Sequence, residues 1–504
     1  MSQRRFCNLS KLMLTAAVVF LVVSCPLLAQ TLTPLVNQPP DGINLAFLLT
    51  DGTVMAQDYI YPDRWWKLTP DINGSYVNGT WKRLANLEYA PSASASAVLA
   101  DGRVLIEGGE YTGIKFDFTL TNQGAIYDPT CDCWTTVQPP ENVDHIGDSP
   151  SVVLPNGKFL LGPKLTEQMT EFDPKTMKWI KINAAGKSDF NAEEGWTLLP
   201  NGTVITADVK NAPNSEIYTP SIKTWASAGN TIVDLRSPSP DGCIPYPPDG
   251  VCYYPPGEIG PAILRPDGTV FFTGSYTHNR VGRPGNTAIY DTLTGTWTAG
   301  PVFPTTEGFG DNAGDSFAVL LPSGNVLVEG AETGWGYEFD GTNLTLTTSI
   351  NTILGNLLVL PTGEVLAGGL PSSLLAGYPT QTYTPSGTYQ SSWAPTISHI
   401  GSHLLTRGST FRIAGTQFNG LSQACAYGDE LQCSENYPLV RITNITTDHV
   451  FYVRTHDHST MGVATGAQHV WTYFDVPTRM EKGASTLEVV ANGIPSAPVS
   501  VTVY

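Results

Sequence analysis

The sequence predicts an all-β chain, a seven-bladed β-propeller over 38–393 followed by a β-sandwich over 394–504. Three observations lead there. With 49 glycines and 39 prolines in 504 residues, the chain holds more turns than a helical bundle tolerates. A unit of two apolar strands joined by a turn ending in Gly, then an aromatic residue and a Trp, recurs seven times. After Trp393-Ala394-Pro395 that unit stops and plain β alternation takes over, as in STFRIAGTQF and VWTYFDVP.

Residues 1–29 read as a secretory signal: Arg4, Arg5 and Lys11 precede the apolar run Leu12–Val23, which is short for a membrane span. Two cleavage readings stand. Cutting after Ala29 leaves a soluble protein, whereas the lipobox Val22-Val23-Ser24-Cys25 makes Cys25 a lipid anchor. Either way the chain is expected to be secreted, periplasmic or on the cell surface. No later stretch is apolar enough for a transmembrane helix. The formal net charge of −18 argues against nucleic acid and anionic lipid as partners. A hydrophobic share of 41% against 14% charged residues supplies a large core.

The repeating turns are Asp51-Gly52, Asp101-Gly102, Asn156-Gly157, Asn201-Gly202, Asp267-Gly268, Ser323-Gly324 and Thr362-Gly363. Asx-Gly pairs favour positive φ at both central turn positions, so each predicts a tight hairpin. The flanking strands are apolar on both faces, as when each sheet is covered by its neighbours. In the second half of each unit Tyr127 precedes Trp134, Phe172 precedes Trp179, Tyr218 precedes Trp225 and Tyr290 precedes Trp297. These aromatics are expected to pack sheet against sheet. Four-stranded sheets arranged radially would bury every face.

In an oxidising compartment the close pairs Cys243/Cys252 and Cys425/Cys433 predict disulfides. Cys131 and Cys133 would close a very tight ring, and their pairing stays open. Between the fourth and fifth units lies a Pro-rich insert, about 236–257, stapled by Cys243–Cys252 and presenting Tyr246, Tyr253 and Tyr254. It reads either as a ligand-contacting loop over one propeller face or as exposed decoration.

The segments Phe172–Trp179 (FDPKTMKW) and Tyr290–Trp297 (YDTLTGTW) resemble the kelch repeat, and GSTFRIAGTQFNG after Pro395 resembles immunoglobulin-like IPT/TIG domains. Together the two parts resemble the galactose oxidase and glyoxal oxidase family over nearly the whole mature chain. That resemblance implies a copper ion on the propeller axis, held by two tyrosines, one cross-linked to a cysteine, and by two histidines. The matching positions depart from it. Ile353-Leu354 stands where a Tyr-His pair is expected, Pro91–Leu99 contains no cysteine, and Asp148 occupies the place of the cross-linked tyrosine. His456 or His458 would be the counterpart of the C-terminal histidine. Copper-radical chemistry is therefore not expected.

Carboxylates instead precede the first strands of several units: Asp148, Glu193, Glu194, Glu258, Asp311 and Asp315, with His145 just upstream of Asp148. They are expected to converge at one end of the axial channel, joined by Arg454, His456 and His458 if the C-terminal part docks as in the oxidases. Clustered carboxylates bind a hard cation such as Ca²⁺, accept hydrogen bonds from sugar hydroxyls, or share a proton for acid–base work. The expected function is an exported binding protein for carbohydrate or another extracellular polymer. The alternative is a hydrolase or lyase using the carboxylates with His145 or His456.

Overall fold

The structure is a computed structural model that describes residues 30–504 apart from 239–243, 247–250, 254–256, 277–283, 307, 349–353, 371–377 and 429–430. The described residues are almost wholly β, with one short 3-10 turn at Ser391–Trp393. The signal segment, Cys25, Cys243 and Tyr254 lie outside them, as do the side chains of Cys252 and Tyr253. No helix among the described residues is long and apolar enough to cross a membrane.

Seven antiparallel sheets follow one another along the chain, each built from four strands of the repeat. Sheet I opens with Ile43–Leu48, sheet II with Ala95–Val98, sheet III with Ser151–Val153 and sheet IV with Thr197–Leu198. Sheets V, VI and VII open with Ile259–Leu264, Ala318–Leu320 and Leu357–Val359. First strands pack on first strands: II on III, IV on V, V on VI, VI on VII, and VII back on I. This is a propeller-type arrangement with the first strands around the axis. The fourth strand of sheet VII comes from the other end of the chain: Thr31–Pro34 pairs antiparallel with Gln381–Thr384. The repeat region thus begins before the expected residue 38. A lone TLTP segment carries no hairpin signal of its own, and only ring closure gives it a partner.

All seven turn glycines have positive φ, from 73° at Gly52 to 87° at Gly324. The preceding Asx residues do not, which corrects the expected turn. Gly52 N–H donates to Leu49 O and Leu49 N–H donates to Thr53 O, while Asp51 Oδ1 accepts from Thr53 N–H at 3.0 Å. The hairpin therefore needs left-handed backbone only at the glycine, and the Asx side chain holds the turn from within.

The aromatic pairs fall directly opposite each other on the third and fourth strands, with ring centroids 5.1 Å apart for Tyr127–Trp134 and 5.0 Å for Tyr290–Trp297. Their indoles also tie sheet to sheet, as where Trp297 Nε1–H donates to Ala228 O and Trp134 Nε1–H donates to Ala85 O. They are packing residues, as expected.

The C-terminal stretch forms two further sheets. One runs Thr396–Ile400, Thr410–Thr416, Val470–Asp475, Thr455–His456, and the other centres on Gly483–Ala491 and Leu439–Asn444. Ile413, Phe474, Val440 and Val489 from the two sheets share one buried cluster. This region docks on the end of the ring that carries the Asx-Gly turns: Arg454 Nη2–H donates to Asp101 O, His458 N–H to Ala100 O, and Met461 N–H to Pro155 O.

Candidate functional site

A segment from Gln417 to Tyr437 leaves this docked region and runs as a finger among the first strands. Cys425–Ala426 adds a strand to sheet VI opposite Ala318 and Val319. Leu198 N–H of sheet IV donates to Gln423 Oε1, Ser96 Oγ–H of sheet II donates to Gln432 O, and Val359 N–H of sheet VII donates to Glu435 Oε1. The Tyr437 hydroxyl donates to Leu48 O of sheet I. A polar finger is tolerable in this place because its side chains and backbone find first-strand partners. Cys425 and Cys433 are bonded and buried within it, as expected, and Cys131 and Cys133 are bonded too.

The finger tip reaches the end of the ring opposite the docked region. A Cβ on Gly195 would lie 2.6 Å from Gly428 O, and one on Gly428 would lie 3.0 Å from Ile259 O. That end is where the carboxylates gather. Lys164, after the second strand of sheet III, forms ion pairs with Asp148 and Glu193. Glu110, after the second strand of sheet II, and Glu258, before sheet V, act electrostatically on the same group, and Asp315 acts on both. Elements of five consecutive sheets, II to VI, thus place five carboxylates around one ammonium.

Burial raises Glu110 to about 7, opposed by Lys164 and helped by Glu193 and Asp315. Burial also pushes Asp148 and Glu258 well above the usual carboxylate range; Lys164 opposes the rise at Asp148, and Glu193 adds to it at Glu258. Asp148 Oδ1 is buried with no hydrogen-bond partner.

The expected residues divide. Asp148, Glu193, Glu258 and Asp315 come together. His145 is close, its Nε2 2.8 Å from Lys164 O, where it braces the lysine's backbone. Glu194 turns the other way, into a separate enclosed group: Lys187 Nζ lies 2.7 Å from Asp189, 3.0 Å from Glu194 and 3.0 Å from Glu216. Burial raises Glu194 to about 8, and burial with Asp189 raises Asp208 beside it to about 7. Those three carboxylates hold Lys187 charged against the cost of burial. Neighbouring side chains in a strand-entry segment face opposite ways, so Glu193 and Glu194 cannot share a site.

Asp311 is consumed by the fold. Its carboxylate accepts from Tyr337 OH at 3.0 Å, Glu332 N–H at 3.1 Å and the Thr333 hydroxyl.

Arg454, His456 and His458 do not approach the carboxylates; they belong to the docked face at the far end. Arg454 pairs with Asp475 at 3.1 Å, and His456 lies between Asp457 at 2.8 Å and Asp475 at 3.3 Å. His458 is buried with Nδ1 2.8 Å from Thr472 Oγ1, and burial lowers it to about 3. The finger takes the axial place expected of the histidines. Sequence reasoning missed Glu110, Tyr111 and Lys164 because it counted only residues ahead of first strands, whereas second strands end at the same place. The usable signals were Gly108-Gly109-Glu110 and Gly162-Pro163-Lys164, each directly after a second strand.

No family model and no curated protein matches this chain. Among solved structures it is similar to a fungal alcohol oxidase of the AA5 family in complex with copper, at 14% identity and a TM-score of 0.48, over 94% of this chain and 98% of that one. It is also similar to a streptogramin B lyase, at 9% identity and a TM-score of 0.43, over 71% of this chain and 97% of the other. A third likeness is to the extracellular domain of a putative one component system from B. thetaiotaomicron, at 10% identity and a TM-score of 0.45, over 94% of this chain and 58% of that one. Likenesses this distant carry no argument about activity.

Proposed function

We propose that the chain is an exported seven-bladed kelch-type propeller with an immunoglobulin-like sandwich at its C-terminal end, and that it binds a carbohydrate or another hydroxyl-rich extracellular polymer at the acidic mouth. One observation carries this reading: five carboxylates and the Lys164 ammonium converge at the end of the ring away from the C-terminal sheets. Carboxylate oxygens accept from vicinal hydroxyls, and the unpartnered Asp148 Oδ1 gains the hydrogen bond it lacks.

The resemblance to copper oxidases implies a metal at this axis, and the donors present do not suit one. They are carboxylates and an ammonium, where copper at oxidising potential calls for imidazoles and phenolates. The Tyr111 phenol hydrogen-bonds with Glu110, the described finger tip brings Tyr427 and Gly428 with no imidazole, and His456 and His458 sit at the other end. No step through copper is derived.

The test is a glycan array followed by calorimetry with the oligosaccharides it identifies, on the wild type and on a combined Asp148→Ala, Glu258→Gln variant. Binding by the wild type that the variant loses supports the reading, and identical behaviour of the two proteins sinks it. A second reading, hydrolysis or elimination on the bound polymer, draws on Glu110. A carboxyl near 7 can give and take a proton at neutral pH. Polysaccharide turnover with a bell-shaped pH profile that Glu110→Gln abolishes would select it over binding alone.

A further inference from the structure

Among the described residues, the carboxylates close enough to share one ion are not those of the mouth. They are Asp189, Asp208 and Glu216, all buried, each offering an oxygen within 4.8 Å of the others. Glu194 adds a fourth carboxylate at the same place, through its contact with Lys187.

The known hydrogen bonds do not use up these oxygens. Lys187 Nζ reaches Asp189 Oδ1, Glu216 Oε2 and Glu194 Oε1. Ser188 N–H donates to Glu216 Oε1, Ser188 Oγ–H to Asp208 Oδ2, and Lys210 N–H to Asp189 Oδ2 at 3.3 Å. Trp196 Nε1–H donates to Glu194 Oε1 at 3.3 Å. Two oxygens are left buried with no partner, Asp208 Oδ1 and Glu194 Oε2, on residues that are 2% and 0% exposed. An orphaned carboxylate oxygen in an enclosed place is costly unless something not yet named binds there.

From this cage we infer a binding site for a hard divalent cation, Ca²⁺, seated between Asp189, Asp208 and Glu216 beside the Lys187 ammonium. The charge count supports it. With Glu194 raised to about 8 and so protonated at neutral pH, the three carboxylates of Asp189, Asp208 and Glu216 face one ammonium, and a dication neutralises the enclosed group. Oxygen-only donors exclude a preference for soft metals, and a cage already crowded by Ser188 and Lys187 suits Ca²⁺, which tolerates irregular coordination, better than Mg²⁺, which keeps an octahedral water shell. The ion would tie the segment 187–194 to the second and third strands of sheet IV, a structural role distinct from ligand capture at the mouth.

The experiment uses the mature full chain stripped with a chelator. Titration with CaCl₂ alone should show about one saturable site and a melting temperature that rises with free Ca²⁺, as mass action on the folded state requires. Tb³⁺ in place of Ca²⁺ should give luminescence sensitised by indole and quenched by competing Ca²⁺, since Trp196 donates to Glu194 and the Trp225 ring lies 4.9 Å from Lys187 Nζ. Asp208→Asn should weaken binding at least about tenfold, whereas Glu110→Gln at the mouth should leave it unchanged. Absence of saturable Ca²⁺ binding together with absence of Tb³⁺ luminescence overturns the inference, and so does binding that Glu110→Gln removes. The Tb³⁺ readout on the wild type decides the matter even if Asp208→Asn does not fold.

Discussion

Lys164 and Lys187 stand one sheet apart, each ringed by acids, and they do different things. Lys187 is enclosed: its carboxylates are fixed by Ser188, Lys210 and Trp196, and all come from the approach to sheet IV or from its own strands. Lys164 is central. Its acids come from five sheets, and Asp315 among them is exposed. A group drawn from the neighbourhood of one sheet stabilises that part of the fold, whereas a ring assembled from five sheets is placed to take a ligand.

Four substitutions would break or sharpen this contrast. The largest effect is expected from Lys187→Met, which strands three buried carboxylates. It should cost about 3–5 kcal/mol in urea unfolding at neutral pH. Lys164→Met, which takes the cation from Asp148 and Glu193, should lower stability too and should abolish ligand binding as well; ligand binding that survives this change would erase the distinction.

Glu110→Gln acts through pH. The folded protein holds this carboxyl up to about 7, so the unfolded chain releases its proton first. The associated stability is complete below about 4.5 and is lost as pH rises toward 7. Thermal melts across that window should slope downward for the wild type and more gently for Glu110→Gln. The smallest effect is expected from Asp315→Asn, an exposed residue whose loss should move stability by less than about 0.5 kcal/mol while lowering affinity for the mouth ligand. A ligand affinity that Asp315→Asn leaves untouched would shrink the proposed mouth to Glu110, Asp148, Glu193 and Glu258.

Much of the fold was legible residue by residue. Asp51-Gly52 and its six counterparts announce hairpins because the turn is closed by atoms within a few positions of each other, even though the expected φ at the Asx residue was wrong. Tyr127 with Trp134 and Tyr290 with Trp297 mark the outer strands for the same local reason. Of the site, the acids ahead of the first strands were legible as a set, yet Glu194 and Asp311 could not be told from Glu193 and Asp315. Glu193 and Glu194 are adjacent and differ only in which way they point, and Asp311 is set apart by partners about twenty residues downstream, Glu332, Thr333 and Tyr337. The finger left no readable signal. Gln423, Gln432 and Glu435 look like a polar surface loop until first-strand backbone groups far away in sequence become their partners.

By itself, then, the sequence determined the hairpins, the repeat and the acidic character of the strand entrances, all of which depend on interactions between near neighbours. Only the tertiary structure decided that the C-terminal sheets cap the turn-bearing end and send a finger among the first strands. It also decided that Lys164, rather than a histidine, meets the acids at the end away from those sheets. Those outcomes follow from closing a ring of sheets, a long-range constraint that brings Asp315 within electrostatic reach of Glu110 although nothing in their local sequence refers to the other.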